Sequence, residues 1–349
     1  MTVFKKKTEL AKGVFWPSYL IGIAVIVLGI ANQKLFGSIL DAGLNWVSDN
    51  FGWWLVLFAL ILVLLVFGLA FSKAGDVVIG GAGAKPEYTM WQWFSMSLKG
   101  GIGTGILFWA MGEPIFHMAA PPAAAGAQPF TREAGLFAIS QTMLHWTIAQ
   151  YAMYSLCAVG VALMAYNRRR TISVSSIFEP YLSSSVYGVV KTVVPMVSLF
   201  CIVGALACSM AVGLMQINSG LNFFFGLPID GVTVFAIAAI MVTVYVVSCL
   251  TGIKKGMRVL SSFCTIVFIG LMVYVLCLGP TRFIVDAGTE SLGVFFNRFF
   301  EHSVILPTMA GNETWSKSWI IMFMASFFVY APIIGLFLAR LGKGRTVRE

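Results

Sequence analysis

Three aromatic residues, Trp146, Tyr151 and Tyr154, are spaced i, i+5 and i+8. On a helix that spacing puts them within a broad sector of one face, able to line one cavity. Aromatic faces carry negative quadrupole charge and attract cations, most strongly when the cation is poorly hydrated. Any one of these rings, taken alone, is as well explained by core packing or by contact with lipid. Upstream lies the run Lys99-Gly100-Gly101-Ile102-Gly103-Thr104-Gly105. Glycine weakens a helix by roughly 1 kcal/mol relative to alanine, and its missing side chain lets backbone or ligand approach closely. Two readings stand side by side. One is a broken helix whose freed N–H and C=O groups face a solute, and the other is tight helix packing through small residues. Glu113, His117 and His145 form the remaining constellation of carboxylate and imidazole. Glu113 and His117 are four residues apart, but Pro114 between them marks a helix exit, and no second metal-like pair accompanies them. Neither hydrolytic chemistry nor a metal centre is therefore expected, and no cofactor is implied. On this reading Glu113-Pro114 shapes a helix end and His145 packs beside the aromatic residues.

These side chains must be held by elements that the composition restricts. The chain has 349 residues, 59% of them hydrophobic and 11% charged, against about 25% charged in soluble domains. Mean hydropathy is +0.88. So much apolar surface cannot be hidden in one water-soluble core, and the bilayer is the expected solvent. Lipid offers no partners for bare peptide groups, so spans must be helices or closed barrels. Continuous apolar runs without strand alternation select helices. Runs of about 20 residues fall near 14–31, 52–72, 91–112, 136–166, 191–217, 231–250, 260–280 and 319–340. The N-terminal run shows no clear cleavage site and is expected to remain as the first span. The six cysteines lie in apolar runs without metal-like spacing and read as small buried residues.

A net charge of +9 would suit nucleic acid in a soluble protein, but here it is distributed by side. Seventeen lysines and arginines fall in loops on one side of the eight spans and five on the other, with Lys99 alone inside a span. The excess of positive charge places both termini in the cytoplasm, and no nucleic-acid partner is expected. Lys99 lies eight residues in from the cytoplasmic end of its span, about 12 Å deep at 1.5 Å per residue. A cation that deep costs about 2.5–3.5 kcal/mol on insertion scales and should face a polar cavity or a partner. If the span begins later, Lys99 instead lies near the surface. In the outer segment 285–303, Phe295, Phe296, Phe299 and Phe300 are expected to share one face of an interfacial amphipathic helix.

With these motifs in order, the sequence resembles the betaine/carnitine/choline transporter (BCCT) family. The resemblance is carried by the glycine run with Ile106-Leu107-Phe108-Trp109 and Glu113-Pro114, and by His145-Trp146-Thr147 with Tyr151 and Tyr154. It continues through Gly213 to Leu221, Gly252-Ile253-Lys254-Lys255-Gly256, Pro332, Gly335 and Gly344 to Glu349. It implies an all-α membrane protein with an inverted repeat of five plus five helices preceded by two extra ones. It further implies a chain truncated after the eighth transmembrane helix, so that the second repeat is incomplete. The implied segments are a cytoplasmic tail over 1–13, two additional helices over 14–72, the first repeat over 91–280, an extracytoplasmic segment over 281–318, and the first helix of the second repeat over 319–349. The implied activity is secondary transport of a small quaternary-ammonium or betaine-type solute across the inner membrane by alternating access, and a homotrimer is implied by resemblance alone.

The resemblance puts Trp146, Tyr151 and Tyr154 in an aromatic cage. Alignment on Pro332 adds Phe327 and Tyr330, and the backbone at Gly101, Ile102, Gly103 and Gly105 lines the same site. The chain departs from the family in having few tryptophans here, which leaves open a substrate other than glycine betaine, such as a sulfonium or a less substituted amine. It also has Leu206 where sodium-coupled members place a threonine, and Lys99 where they place a small residue. Lys99 is thus expected to substitute for a bound sodium's charge in a proton-coupled carrier or an exchanger.

Overall fold

The computed structural model describes residues 11–101, 104–251, 256–308 and 311–349. The described chain is almost wholly helical. Helix α1 (Lys12–Ala31) is separated from α2 (Gln33–Phe71) by Asn32 alone, whose side chain accepts a hydrogen bond from the Leu35 N–H and so caps the second helix. Helices α3 (Met90–Gly101) and α4 (Thr104–Ala119) take up Gly100, Gly101 and Gly105 of the glycine run. Next, α5 (Arg132–Leu144), a π-turn (His145–Ala149), α6 (Gln150–Ala162) and a second π-turn (Leu163–Asn167) form one continuous rod. Thr131 caps its start. Then come α7 (Ser184–Phe225), α8 (Gly231–Leu250), capped by Asp230, and α9 (Arg258–Leu278). Helices α10 (Thr281–Asn297) and α11 (Phe299–Ser303) follow. The last rod is built from α12 (Glu313–Ser316), a π-turn (Lys317–Ile321) and α13 (Met322–Leu341).

Among the described residues, seven helical rods are long and apolar enough to cross a membrane. The remaining expected span falls on α3 and α4, and residues 102–103 between them lie outside the described residues. Some helices outrun the apolar stretches that predict them. Helix α2, with 39 residues, is about 58 Å long at 1.5 Å per residue, against a hydrocarbon layer of about 30 Å. Hydropathy finds the part that needs lipid, whereas the helix continues wherever its hydrogen bonds and cap allow.

One expectation is corrected in the outer segment. Phe295 is buried and Phe299 half-buried, but Phe296 and Phe300 are exposed. The four rings form two i, i+4 stripes, one turned toward the bundle and one away. The short α11 is held to α5 by His302, whose ring lies 5.0 Å from that of Phe137. Burial pushes the pKa of His302 down to about 4.

Lipid tails are as apolar as leucine, so helices in a bilayer associate through close packing and hydrogen bonds. Here α13 lies against α6, where Gly335 has no room for a side chain: a Cβ would sit 2.6 Å from Cys157 Sγ. Helix α13 also approaches α3, where a Cβ on Gly100 would come within 2.7 Å of the Phe337 ring. Beyond α13 the chain turns at Gly344 (φ +83°) and runs beside the loop after α2. Four main-chain hydrogen bonds join them: Ile79 N–H to Arg345 O, Gly344 N–H to Ile79 O, Val347 N–H to Val77 O and Arg348 N–H to Gly75 O. The buried Arg345 guanidinium caps this contact, lying 4.4 Å over the Trp93 ring and donating to the Tyr88 carbonyl.

Candidate functional site

Trp146, Gln150 and Tyr154 follow one another at i, i+4 and i+8, a single stripe along the rod that runs from the first π-turn into α6. This stripe faces α13 across a cavity of about 340 Å³. On the α13 side the walls are Phe323, Phe327 and Tyr330. Phe323 and Phe327 stack 5.9 Å apart at 11°, and Trp146 stands edge-on to both, at 5.3 and 5.9 Å. Trp109 and Gly105 of α4, and Lys99 and Gly100 of α3, close another side, and Leu206 and Ser209 of α7 the last. The Tyr330 hydroxyl donates to the Ala205 carbonyl at 2.8 Å, and this bond ties α13 to α7.

Of the residues expected from the sequence, the structure brings Trp146, Tyr154, Phe327, Tyr330, Gly105 and Lys99 to this one cavity. Tyr151 is not among its lining. One position round from the stripe, Tyr151 donates its hydroxyl to the Leu98 carbonyl at 3.2 Å. It lines a separate cavity of about 270 Å³ next to Trp93 and Ser97. Gly101 ends α3, and Ile102 and Gly103 lie outside the described residues. Lys99 is half-buried between two hollows. Its ammonium sits 5.1 Å from the centroid of the Phe268 ring on α9, a cation–π contact. Trp109 and Phe323 are wall residues that sequence reasoning missed. The i, i+4, i+7 spacing of Phe323, Phe327 and Tyr330 was the available signal.

Behind the Trp146 indole lies the second missed feature. Pro114 does not end its helix but sits inside α4, which runs on to Ala119. A proline is tolerated inside a spanning helix when neighbours re-satisfy the freed backbone groups. Glu113 and His117 therefore stay one turn apart on one face, and both are fully buried. Glu113 Oε1 receives His117 Nε2 at 3.1 Å and His145 Nδ1 at 2.6 Å, while Oε2 accepts from the Trp146 indole N–H at 2.6 Å. The Trp315 indole N–H donates to His117 Nδ1 at 3.0 Å, and the Gln141 amide nitrogen lies 3.0 Å from His145 Nε2. The nearest ligand-type atoms of Glu113, His117 and His145 are within 4.8 Å of one another. Each ring nitrogen and each carboxylate oxygen is already engaged in a hydrogen bond within this network. The arrangement is thus a closed polar cluster that braces one wall of the cavity.

Comparison with known proteins agrees with this architecture. The family model described as betaine/carnitine/choline family transporter matches residues 13–349. A probable glycine betaine transporter of Desulfitobacterium hafniense is 27% identical over 336 residues, covering 96% of this chain and 66% of that protein. An ectoine/hydroxyectoine transporter of Virgibacillus pantothenticus is 27% identical, covering 98% of this chain and 68% of its own length. An osmo-dependent choline transporter of Acinetobacter baylyi is 29% identical, covering 98% of this chain and 50% of its own length. The chain thus spans about half to two thirds of the length of these relatives.

Proposed function

Because the chain belongs to the betaine/carnitine/choline transporter family, we propose that its aromatic cavity holds the onium group of a small quaternary-ammonium or betaine-type solute during transport. The observation that carries this reading is the convergence of Trp109, Trp146, Tyr154, Phe323, Phe327 and Tyr330 on one hollow of about 340 Å³. A quaternary cation has no conventional hydrogen bond to donate and is weakly hydrated, so π faces can attract it and still release it. Lys99 lines the same cavity. A fixed positive charge near the rings suits a zwitterion, whose onium end takes the aromatic wall while its carboxylate faces the ammonium. The similarity to proteins named as glycine betaine and ectoine transporters supports that class. Movement would follow alternating access in the inner membrane, with the termini of this chain on the cytoplasmic side.

Solute binding followed by tryptophan fluorescence tests the reading. Trp146→Leu removes one aromatic wall and is expected to weaken a betaine by roughly 10–30-fold, since a desolvated cation–π contact contributes about 2 kcal/mol. Equal affinities in wild type and variant would remove the cage. Binding without uptake in proteoliposomes would instead mark a ligand-binding membrane protein that does not transport.

Lys99 also carries the reading of the coupling charge. In place of a bound sodium, its ammonium would supply the positive charge beside the glycine run, in keeping with Leu206 on the facing wall. Uptake is then expected to be independent of sodium, and Lys99→Ala should lower it by about tenfold or more. Strict sodium dependence that survives unchanged in Lys99→Ala would eliminate this role.

A further inference from the structure

The cluster behind Trp146 fixes the protonation of its own members. An indole N–H can only donate. His117 Nδ1, 3.0 Å from Trp315 Nε1, must therefore be an unprotonated acceptor, and the His117 proton lies on Nε2 facing Glu113. His117 is neutral and cannot gain a second proton without setting two donors against each other. Glu113 receives two imidazole contacts on Oε1 and one indole N–H on Oε2, the pattern of an acceptor-only carboxylate. His145 differs. Its Nδ1 donates to Glu113, and its Nε2 meets the Gln141 side-chain amide. As placed, that amide offers its nitrogen, so Nε2 is an acceptor and His145 is neutral. The Gln141 oxygen is buried and has no hydrogen-bond partner in the described structure. The amide has nearly the same shape either way round. Turned by half a rotation, it offers the oxygen to a protonated Nε2, and His145 becomes an imidazolium already paired with Glu113.

We propose that His145 is the proton-binding member of this buried cluster, and that its protonation is linked to occupancy of the cavity through the Glu113–Trp146 hydrogen bond. With His145 neutral the cluster carries the single negative charge of Glu113, directly behind the indole that faces the cavity, and it favours a cation there. With His145 protonated the cluster is neutral and that attraction is lost. Solute onium and proton therefore compete across Trp146, and by reciprocity each lowers the affinity for the other. The linkage half of this proposal rests on the reading of the cavity as an onium site.

The other charged groups on the elements packed around the cluster lie apart from it. Arg132 of α5 pairs with Glu290 of α10 at the surface, and Glu133 is exposed. Lys317 of the last rod pairs with Asp49 of α2. Lys34 and Asp41 of α2 are exposed, and His302 meets the cluster only through the Phe137 ring, 5.0 Å from His302 and 6.1 Å from His117. Lys99 faces the cavity rather than the cluster.

The chain has only three histidines, so 15N-imidazole NMR of the full chain in detergent, assigned with His→Gln variants, resolves each ring. On acidification from about pH 8 to 5, His145 is expected to become doubly protonated while His117 keeps Nδ1 bare. Double protonation of His117 before His145, or a His145 that stays singly protonated throughout, overturns the assignment. In parallel, choline and glycine betaine binding is measured over the same range. Wild-type affinity should rise by about tenfold from the acid to the neutral end, His117→Gln should keep most of that slope, and His145→Gln should abolish it. Flat affinities alongside a titrating His145 would overturn the linkage. Absence of binding at every pH would count against the onium cavity itself, and the NMR result would still decide the proton position.

Discussion

Glu113→Ala is expected to be among the most destabilising single changes in the chain, costing about 3–5 kcal/mol. The reason is arithmetic of donors. The carboxylate accepts from two imidazoles and one indole in a fully buried site. Its removal strands all three, and a stranded buried donor costs about 1–3 kcal/mol. Rearrangement of the rings recovers some of this, which is why the expected total lies below the sum. Glu113→Gln keeps one oxygen and should recover part of the loss, whereas Glu113→Leu should not. Thermal unfolding of the purified chain in detergent, with intrinsic tryptophan emission as the signal, measures the difference. A melting curve for Glu113→Ala that superimposes on wild type would show that the cluster contributes nothing to cohesion.

Gly335→Val is the second large effect. The first atom of any side chain there would meet Cys157 Sγ at 2.6 Å, Cys157 Cβ at 2.7 Å and the Ala158 backbone nitrogen at 3.1 Å. A thiol can swing away, but the backbone cannot, so α13 and α6 must separate. Overpacking of this kind costs about 3 kcal/mol or slightly less where neighbours can shift, and here the shift also displaces Phe327, two turns along the same helix, from its place opposite Trp146. Lower yield of monodisperse protein and weakened solute binding are both expected. Pairing Gly335→Ala with Cys157→Gly should restore most of the loss of the alanine variant, because it clears the nearest contacts. If Gly335→Val folded and melted like wild type, the close approach of the two helices would be refuted.

The spans were legible because lipid imposes a simple demand, an unbroken apolar run of fixed length. Among the described residues, each of the eight predicted runs falls largely on helix, and the edges of α8 match to the residue. Helix length was not legible, since capping at Asn32 or Thr131 and hydrogen bonds beyond the apolar layer leave no mark in hydropathy. In the candidate site, the shared face of Trp146 and Tyr154 was legible in their spacing, but the place of Gln150 between them was not. A π-turn at His145–Ala149 interposes itself, and such turns depend on i→i+5 bonding that residue types do not reveal. Tyr151 was placed there by its spacing and by the resemblance, and lies one position round the helix from the stripe. The polar cluster escaped for a different reason. Its members come from α4, α5, the π-turn and α12, and Pro114 suggests a helix end where the helix in fact continues. A run of residues cannot report a contact such as that of His117 with Trp315, 198 positions away.

The backbone seam between residues 75–79 and 344–348 has a mechanical consequence. It welds the trailing end of α13 to the chain leaving α2, and Arg348 reinforces the weld by donating to the Ala70 carbonyl and pairing with Asp76. Helix α13 carries half of the aromatic wall, so it cannot tilt at that end as a free rod. Any rocking that widens the hollow must either drag the α2 terminus with it or pivot about the seam, with the greatest swing near Phe323 and the least near Leu341.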